Sequence, residues 1–325
     1  MNPRRILVIN VSRIGDTLLC TPALRTLAKA WPQAQLDFLG HPNRVEIIRH
    51  LPFVASARPI TKHRALLRGW LGRHWDLALV YGFDRALVRY ALRAAENVVA
   101  FRQGEAALDA RLYRAVQAPP PLTIHAARSL MLLPEALGLR ADGMRLAYAV
   151  TPREREWAAA FLGPRAKPLI GVQMASFPTK GYRDWPPENF AALCERMVQR
   201  WPQARFLLFG GPLERARTGA LAQRLGERAR DLAGTLTLRQ TAALMERVDL
   251  YVGVDTGPTH IVSALEPPMV ALYHCHSPSH LLGPLDRPRC YVVDHPRAAQ
   301  GCGPDTPMAE ITVDAVWQRV LEAMR

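Results

Sequence analysis

Short uninterrupted apolar runs alternate with segments of helical periodicity along the first 150 residues. ILVINV (6–11), QLDFLG (35–40), WDLALVYG (75–82) and NVVAF (97–101) have the length and composition of strands. Between the first two, Thr21-Pro22 reads as an N-cap followed by proline at the first helical position, opening the helix ALRTLAKAW. Strands alternating with helices predict a parallel α/β sheet. The pattern pauses over 141–168. There ADGMRLAYAVTP, a short helical piece and the breaker-rich GPRAKP read as a passage between domains. It then restarts. LIGVQM (169–174), RFLLFGG (205–211), DLYVGVD (249–255) and MVALY (269–273) read as strands, and ENFAALCERMVQRW, 213–230, LRQTAALMERV and PTHIVSAL as helices. Two consecutive α/β domains are expected, 1–150 and 151–325, with a last helix free to pack back on the first. Ligands of such sheets bind outside the carboxyl ends of the strands. Two of them face to face would make a cleft with one substrate per wall.

Composition narrows the class. No window reaches 18–20 apolar residues, so no transmembrane helix is expected. The apolar start is short and is interrupted by Ser12, Arg13 and Asp16, which reads as a buried strand and not as an export signal. Five cysteines without a CxxC pair argue against a disulfide framework or a zinc site and for a reducing compartment. Net charge is +14, and residues 1–150 hold +11 of it, with 21 Lys and Arg against 10 Asp and Glu. Such a field attracts nucleic acid, anionic lipid or a phosphorylated glycan, unless it is merely compositional. Arg58, Lys62, His63, Arg64, Arg68 and Arg73 cluster around Trp70 and Trp75, with Arg102, Arg111 and Arg114 following. This suits a membrane surface with anionic headgroups, and no nucleic-acid-binding signature accompanies it.

Four segments carry candidate chemistry. Ser12-Arg13-Ile14-Gly15-Asp16-Thr17 follows the first strand. A carboxylate at Asp16 could act as general base on an acceptor hydroxyl, or simply cap the next helix. Gly253-Val254-Asp255-Thr256-Gly257-Pro258-Thr259-His260 joins a strand to a helix whose N-terminus favours a phosphate. Thr256 adds a hydroxyl, Gly257 allows close backbone approach and His260 could reach the same anion. An ordinary N-cap beside a buried histidine is the plainer alternative. The loop Ser176 to Pro186 supplies Lys180 and Arg183, either of which could neutralise a diphosphate, or it is a solvated loop anchored by Trp185. Glu214, after Gly210-Gly211, could hold a ribose or interact with a helix dipole.

These motifs, in this order, resemble glycosyltransferase family 9, the lipopolysaccharide heptosyltransferases. The strings that carry the resemblance are SRIGDTLLCTPALRTL, WDLALVYG, KGYRDWPPENFAAL, FGGPLE and VGVDTGPTHIVSALEPPMVALY. The resemblance implies a GT-B fold of two Rossmann-like domains and an inverting, metal-independent transfer from ADP-L-glycero-D-manno-heptose, with no cofactor. By it, Asp16 is the catalytic base and the acceptor binds the first domain, where Arg13 and the basic Lys62, Arg64 and Arg68 of the charge cluster are read as acceptor contacts. Ser176, Lys180, Arg183, Glu214, Asp255, Thr256, Gly257 and His260 serve the donor. The acceptor is an anionic lipopolysaccharide core at the membrane surface, with no nucleic acid involved. A monomer is expected, cytoplasmic and peripheral to the inner face of the inner membrane. The family usually has Lys where this chain has Arg183. It often runs F-G-P-T-D-P where this chain has Tyr273-His274-Cys275-His276-Ser277-Pro278, a departure in the loop expected near the sugar. Three adjacent residues do not easily converge on one ion, and the sequence is read as having no metal site there.

Overall fold

The structure, a computed structural model, describes residues 1–61, 74–164 and 167–325. It divides into Met1–Ala149 and Val150–Arg325. In the first unit β1 (Arg5–Asn10), β2 (Gln35–Gly40), β3 (Ser56–Pro59), β4 (Trp75–Val80), β5 (Ala95–Phe101) and β6 (Arg114–Val116) make one sheet, ordered β3-β2-β1-β4-β5-β6. Every neighbouring pair is parallel. The central strands are nearly all apolar because helices cover both faces of a parallel sheet, so alternation would bury polar groups. The helices described here are α1 (Ile14–Leu19), α2 (Thr21–Ala30), α3 (Arg85–Ala94), α4 (Ala106–Asp109) and α5 (Ala126–Glu135).

The second unit repeats the plan. Its strands are β7 (Leu169–Gln173), β8 (Arg205–Phe209), β9 (Ala229–Asp231), β10 (Leu250–Val254), β11 (Met269–Tyr273) and β12 (Cys290–Asp294), ordered β12-β11-β10-β7-β8-β9 and again all parallel. Its helices are α6 (Pro152–Leu162), α7 (Pro187–Arg200), α8 (Arg215–Leu225), α9 (Leu238–Met245), α10 (Gly257–Ala264), α11 (Ser279–Leu282) and α12 (Val313–Ala323). The helix expected over 213–230 is shorter. It stops at Leu225 because Gly226 takes φ +58°, and the chain then enters β9. The C-terminal helix α12 packs on β11, β12 and α7 of its own unit.

In both sheets the order reverses beside the first strand of the unit, between β1 and β4 and between β7 and β10. Loops leaving the carboxyl ends of such a strand pair diverge to opposite sides and leave a crevice. The loops after β1, β7 and β10 carry three of the four sequence motifs.

The passage expected over 141–168 is largely structured. Arg25, on α2, donates to the carbonyls of Asp142, Gly143 and Arg145 at 3.1, 3.2 and 2.9 Å. Thr26 accepts from the Asp142 N–H, and Thr21 from the Ala147 N–H. On the other side α6 opens with a capping box of Thr151 and Glu154, and Arg239 of α9 pairs with Glu154 at 2.6 Å.

Trp185 anchors the second core. It is 1% exposed, meets Phe190 edge-on at 5.0 Å and donates its indole N–H to Ile311 O at 2.8 Å. Trp185→Ala should cost about 3–5 kcal/mol through the cavity and the orphaned carbonyl. Chemical denaturation of the variant checks this, and a loss below about 1 kcal/mol would mean the site collapses freely.

Candidate active site

The sharpest geometry lies where β10 meets α10. Gly253 is required inside β10, because a Cβ there would stand 2.6 Å from the Tyr251 hydroxyl. Thr256 is the N-cap of α10, and its hydroxyl accepts from the Thr259 N–H at 3.4 Å. Thr259 in turn donates to Val254 O at 2.5 Å and meets the Tyr251 hydroxyl at 2.8 Å. The turn between strand and helix is therefore held from inside. Gly257 and Pro258 form the first positions of the helix.

Asp255 is 1% exposed, a costly position for a carboxylate unless it is paired. Arg183 Nη1 stands 2.6 Å from its Oδ2 and His260 Nε2 stands 3.5 Å from its Oδ1. The Arg183 contact is an ion pair without the alignment of a good hydrogen bond. The guanidinium is itself 16% exposed, so one edge of a buried pair reaches solvent. Thus Asp255, Thr256, Gly257, His260 and Arg183 do come together. The plainer reading also holds in part, since Thr256 is an ordinary N-cap and His260 is buried.

The loop after β7 is closed by Ser176 and Asp184. The Ser176 hydroxyl lies 2.6 Å from both Lys180 O and Asp184 Oδ1, and its N–H donates to the same carboxylate oxygen at 2.6 Å. Asp184 Oδ2 pairs with Arg217. The Ser176 hydroxyl expected for the donor is thus occupied within its own loop. Lys180 lies 5.6 Å and Arg183 5.5 Å from the centre of the Tyr182 ring. Only Arg183 of the two has a carboxylate partner among the described residues. After β8, Glu214 Oε2 accepts from the Gly211 N–H at 2.6 Å, which leaves its second oxygen free of this turn.

Beyond Tyr182 the sequence reading is corrected. Cys275 and Cys302 are joined in a disulfide, although no disulfide was expected. The chain folds back after β12 and brings Cys302 to the end of β11, a pairing that spacing alone does not reveal. The same segment is held by histidines. His274 accepts the His276 N–H on Nδ1 at 3.0 Å and so donates Nε2–H to Thr306 O at 2.8 Å. His295 accepts the Arg297 N–H on Nδ1 and donates Nε2–H to Pro307 O at 3.1 Å. His276 Nδ1 is 3.2 Å from Cys302 O. Tyr182 meets the rings of His274 and His276 edge-on at 5.0 and 5.6 Å. Burial, foremost, pushes the His274 pKa down, opposed by its bond to Thr306 and assisted by His295, His276 and Arg183.

In the first unit, Asp16 is exposed in the first turn of α1. It does not cap that helix, and its carboxylate has no partner among the described residues. The loop before it is pinned instead by Thr17, which donates to Arg13 O at 2.8 Å, and by Arg44, which donates to Ser12 O at 3.0 Å. Arg13 is exposed. Lys62, Arg64 and Arg68, with His63, Trp70 and Arg73, lie outside the described residues. Trp75 is half-buried at the start of β4, and its indole donates to the buried Asp37 at 2.8 Å. Arg102, Arg111 and Arg114 are exposed.

A cavity of about 540 Å³ lies at the opposite, amino ends of the second sheet, against Pro168, Asp249, Pro268 and Arg289. None of the motif residues reaches it. Residues that sequence reasoning passed over are Tyr182, Asp184, His295 and Cys302, along with Phe177, whose ring is 62% exposed at the end of β7. A tyrosine beside two cations was the one visible signal.

Solved structures share this architecture. The structure of the Escherichia coli ADP-heptose lipopolysaccharide heptosyltransferase II aligns with a TM-score of 0.80 at 21% identity, covering 98% of both chains. Escherichia coli heptosyltransferase WaaC, solved with ADP, aligns at 0.73 and 19%, covering 98% of this chain and 99% of that one. The fold is that of the GT-B glycosyltransferases. The profile of glycosyltransferase family 9 (heptosyltransferase) matches residues 71–302, and the chain belongs to that family. Among its sequence relatives is lipopolysaccharide heptosyltransferase 1 of Pseudomonas aeruginosa, 27% identical over 304 residues that cover 83% of this chain and 78% of the relative. No described helix is long and apolar enough to cross a membrane.

Proposed function

We propose that this enzyme transfers a heptose from ADP-L-glycero-D-manno-heptose to the lipopolysaccharide inner core, with inversion at the anomeric carbon. One observation carries the reading. Arg183, Asp255 and His260 converge at the start of α10, beside the β7 and β10 strand pair where the sheet order reverses. In the proposed step Asp16 takes the proton of the acceptor hydroxyl. That oxygen attacks the anomeric carbon, the bond from that carbon to the β-phosphate oxygen breaks, and ADP leaves. Negative charge grows on the leaving diphosphate. The N-terminal N–H groups of α10 and the exposed edge of Arg183 are fixed dipole and charge ready to stabilise it. Lys180, Glu214, Thr256 and Gly257 complete the donor contacts, with Ser176 shaping the loop. The acceptor, an anionic core, is held by the basic first unit through Arg13, Lys62, Arg64 and Arg68, in the cytoplasm at the inner face of the inner membrane. The protein works as a monomer without nucleic acid.

A panel of nucleotide sugars tests the donor. ADP-heptose at about 100 times its Kd should stabilise the fold by about 2.7 kcal/mol, read as a rise in Tm, and product analysis should show the inverted anomer. Protection by a different nucleotide sugar instead would reassign the donor within the GT-B class. Protection by none would leave a glycan- or lipid-binding protein. The acceptor side has its own expected result. Its KM should rise with salt, since the Debye length shrinks from about 10 Å at 0.1 M to about 3 Å at 1 M. Replacing Lys62, Arg64 and Arg68 together by alanine should raise that KM with little change in kcat. An acceptor KM indifferent to both changes would make the charge excess compositional.

A further inference from the structure

His274, Cys275 and His276 are adjacent in the chain and do not easily converge on one ion by themselves. The fold adds Cys302. The candidate ligand atoms of His274, Cys275 and Cys302 all lie within 4.8 Å of one another, and Cys275 Sγ is 3.9 Å from His274 Nδ1. His274 and Cys275 are buried and Cys302 is half-buried. We propose that when the Cys275–Cys302 disulfide is reduced, these three residues bind a divalent zinc-type cation.

Three features support this. First, the donor set is two sulfurs and one imidazole, the composition that zinc and similar borderline-soft cations take. Around a tetrahedral zinc, with bonds of about 2.1 Å to nitrogen and 2.3 Å to sulfur, ligand atoms stand roughly 3.6 Å apart. The present spacing therefore needs shifts of about 1 Å, which parting the two sulfurs supplies in part. Second, His274 already has the tautomer of a ligand. Its Nε2–H is fixed on Thr306 O, which leaves Nδ1 as the unprotonated nitrogen, 3.9 Å from Cys275 Sγ. Metal-bound histidines usually have their other ring N–H held in this way. Coordination gives up the bond that Nδ1 accepts from the His276 N–H. Third, the disulfide and a metal would do the same job. Each ties the segment around Cys302 to the end of β11, beside Tyr182, so the tie persists in a reducing compartment where a disulfide does not.

The chemistry balances. A thiol reductant attacks the more accessible Cys302 sulfur. Two thiols of reductant give up two electrons and two protons and end as their own disulfide, leaving two cysteine thiols. The cation then displaces both thiol protons and occupies the site with its fourth position open to water. No step of the glycosyl transfer uses it, so the inference stands apart from the donor assignment.

Direct metal binding to the full-length protein tests it. The protein is reduced anaerobically with a phosphine, equilibrated with Zn²⁺, freed of excess and analysed for metal. Co²⁺ is used in parallel for its thiolate charge-transfer band. One zinc per reduced chain is expected, with the cobalt band present, and neither in the oxidised chain. Cys302→Ser, on the half-buried segment, should lose the zinc and the band while its circular dichroism stays native. Cys275→Ser should do the same. Cys290→Ser, which removes a cysteine outside the set, should keep both. A reduced wild type that takes up no zinc overturns the proposal, as does a Cys302→Ser protein that retains it.

Discussion

Asp16→Asn is expected to lower kcat by about 10²–10⁴, the usual weight of a general base, while leaving the fold and the donor KM nearly untouched. The physical ground is the position of this carboxylate. It is exposed in the first turn of α1, directly after the strand where the first sheet reverses, and among the described residues it neither caps the helix nor pairs with a cation. The substitution therefore removes no side-chain partner among the described residues. The amide keeps its shape but cannot take a proton. What folding loses is the interaction of a charge with the helix N-terminus, about 0.3–1 kcal/mol. Steady-state kinetics with saturating donor, together with thermal protection by the nucleotide sugar, separates the two effects. Wild-type turnover in the folded variant would remove Asp16 from the mechanism.

The second large effect is expected at Arg183. Asp255 is an anion buried where the leaving diphosphate is proposed to develop charge, and Arg183 is its charge partner at 2.6 Å. Removing Arg183 therefore acts twice. Arg183→Ala should destabilise by about 3 kcal/mol, because breaking a buried pair strands the other charge. That corresponds to roughly 6–12 °C in Tm for a unit of this size. Donor KM should also rise, since an uncompensated Asp255 repels the diphosphate. The double variant Arg183→Ala, Asp255→Asn distinguishes these roles. It should regain most of the stability, because no charge is left unpaired, but not the donor affinity. If the double variant recovers both, Arg183 serves only to neutralise Asp255 and makes no contact with the diphosphate.

The sequence disclosed the central strands because burial on both sheet faces leaves little room for polar residues. LIGVQ, LYVGV and MVALY are recognisable for that reason alone. The edges were not legible. β3 reads SARP, β6 reads RAV and β9 reads ARD, three or four residues half exposed to solvent, whose strand state depends on a neighbour to pair with. CYVVD of β12 was missed for the same reason, as its side chains are mostly half-buried. Asp255, Thr256, Gly257 and His260 could be found together because one strand-to-helix turn contains them. That Arg183 and not Lys180 pairs with Asp255 could not, because it depends on how the loop after β7 is closed by Ser176 and Asp184. The Cys275–Cys302 pairing was hidden by a sequence separation of 27. Only the parallel return through β12 makes them neighbours.

The bonding of Arg25 to the stretch after Arg140 has a consequence for anyone dissecting the molecule. By composition, 141–168 invites a cut anywhere along it. A cut before Asp142 would strip three carbonyl partners from one guanidinium and take one partner each from Thr21, Thr26 and Lys29 of α2. A cut beyond Thr151 would uncap α6. Any division that spares both sets of ties must fall between Ala147 and Thr151, which leaves separately expressed halves a narrow window.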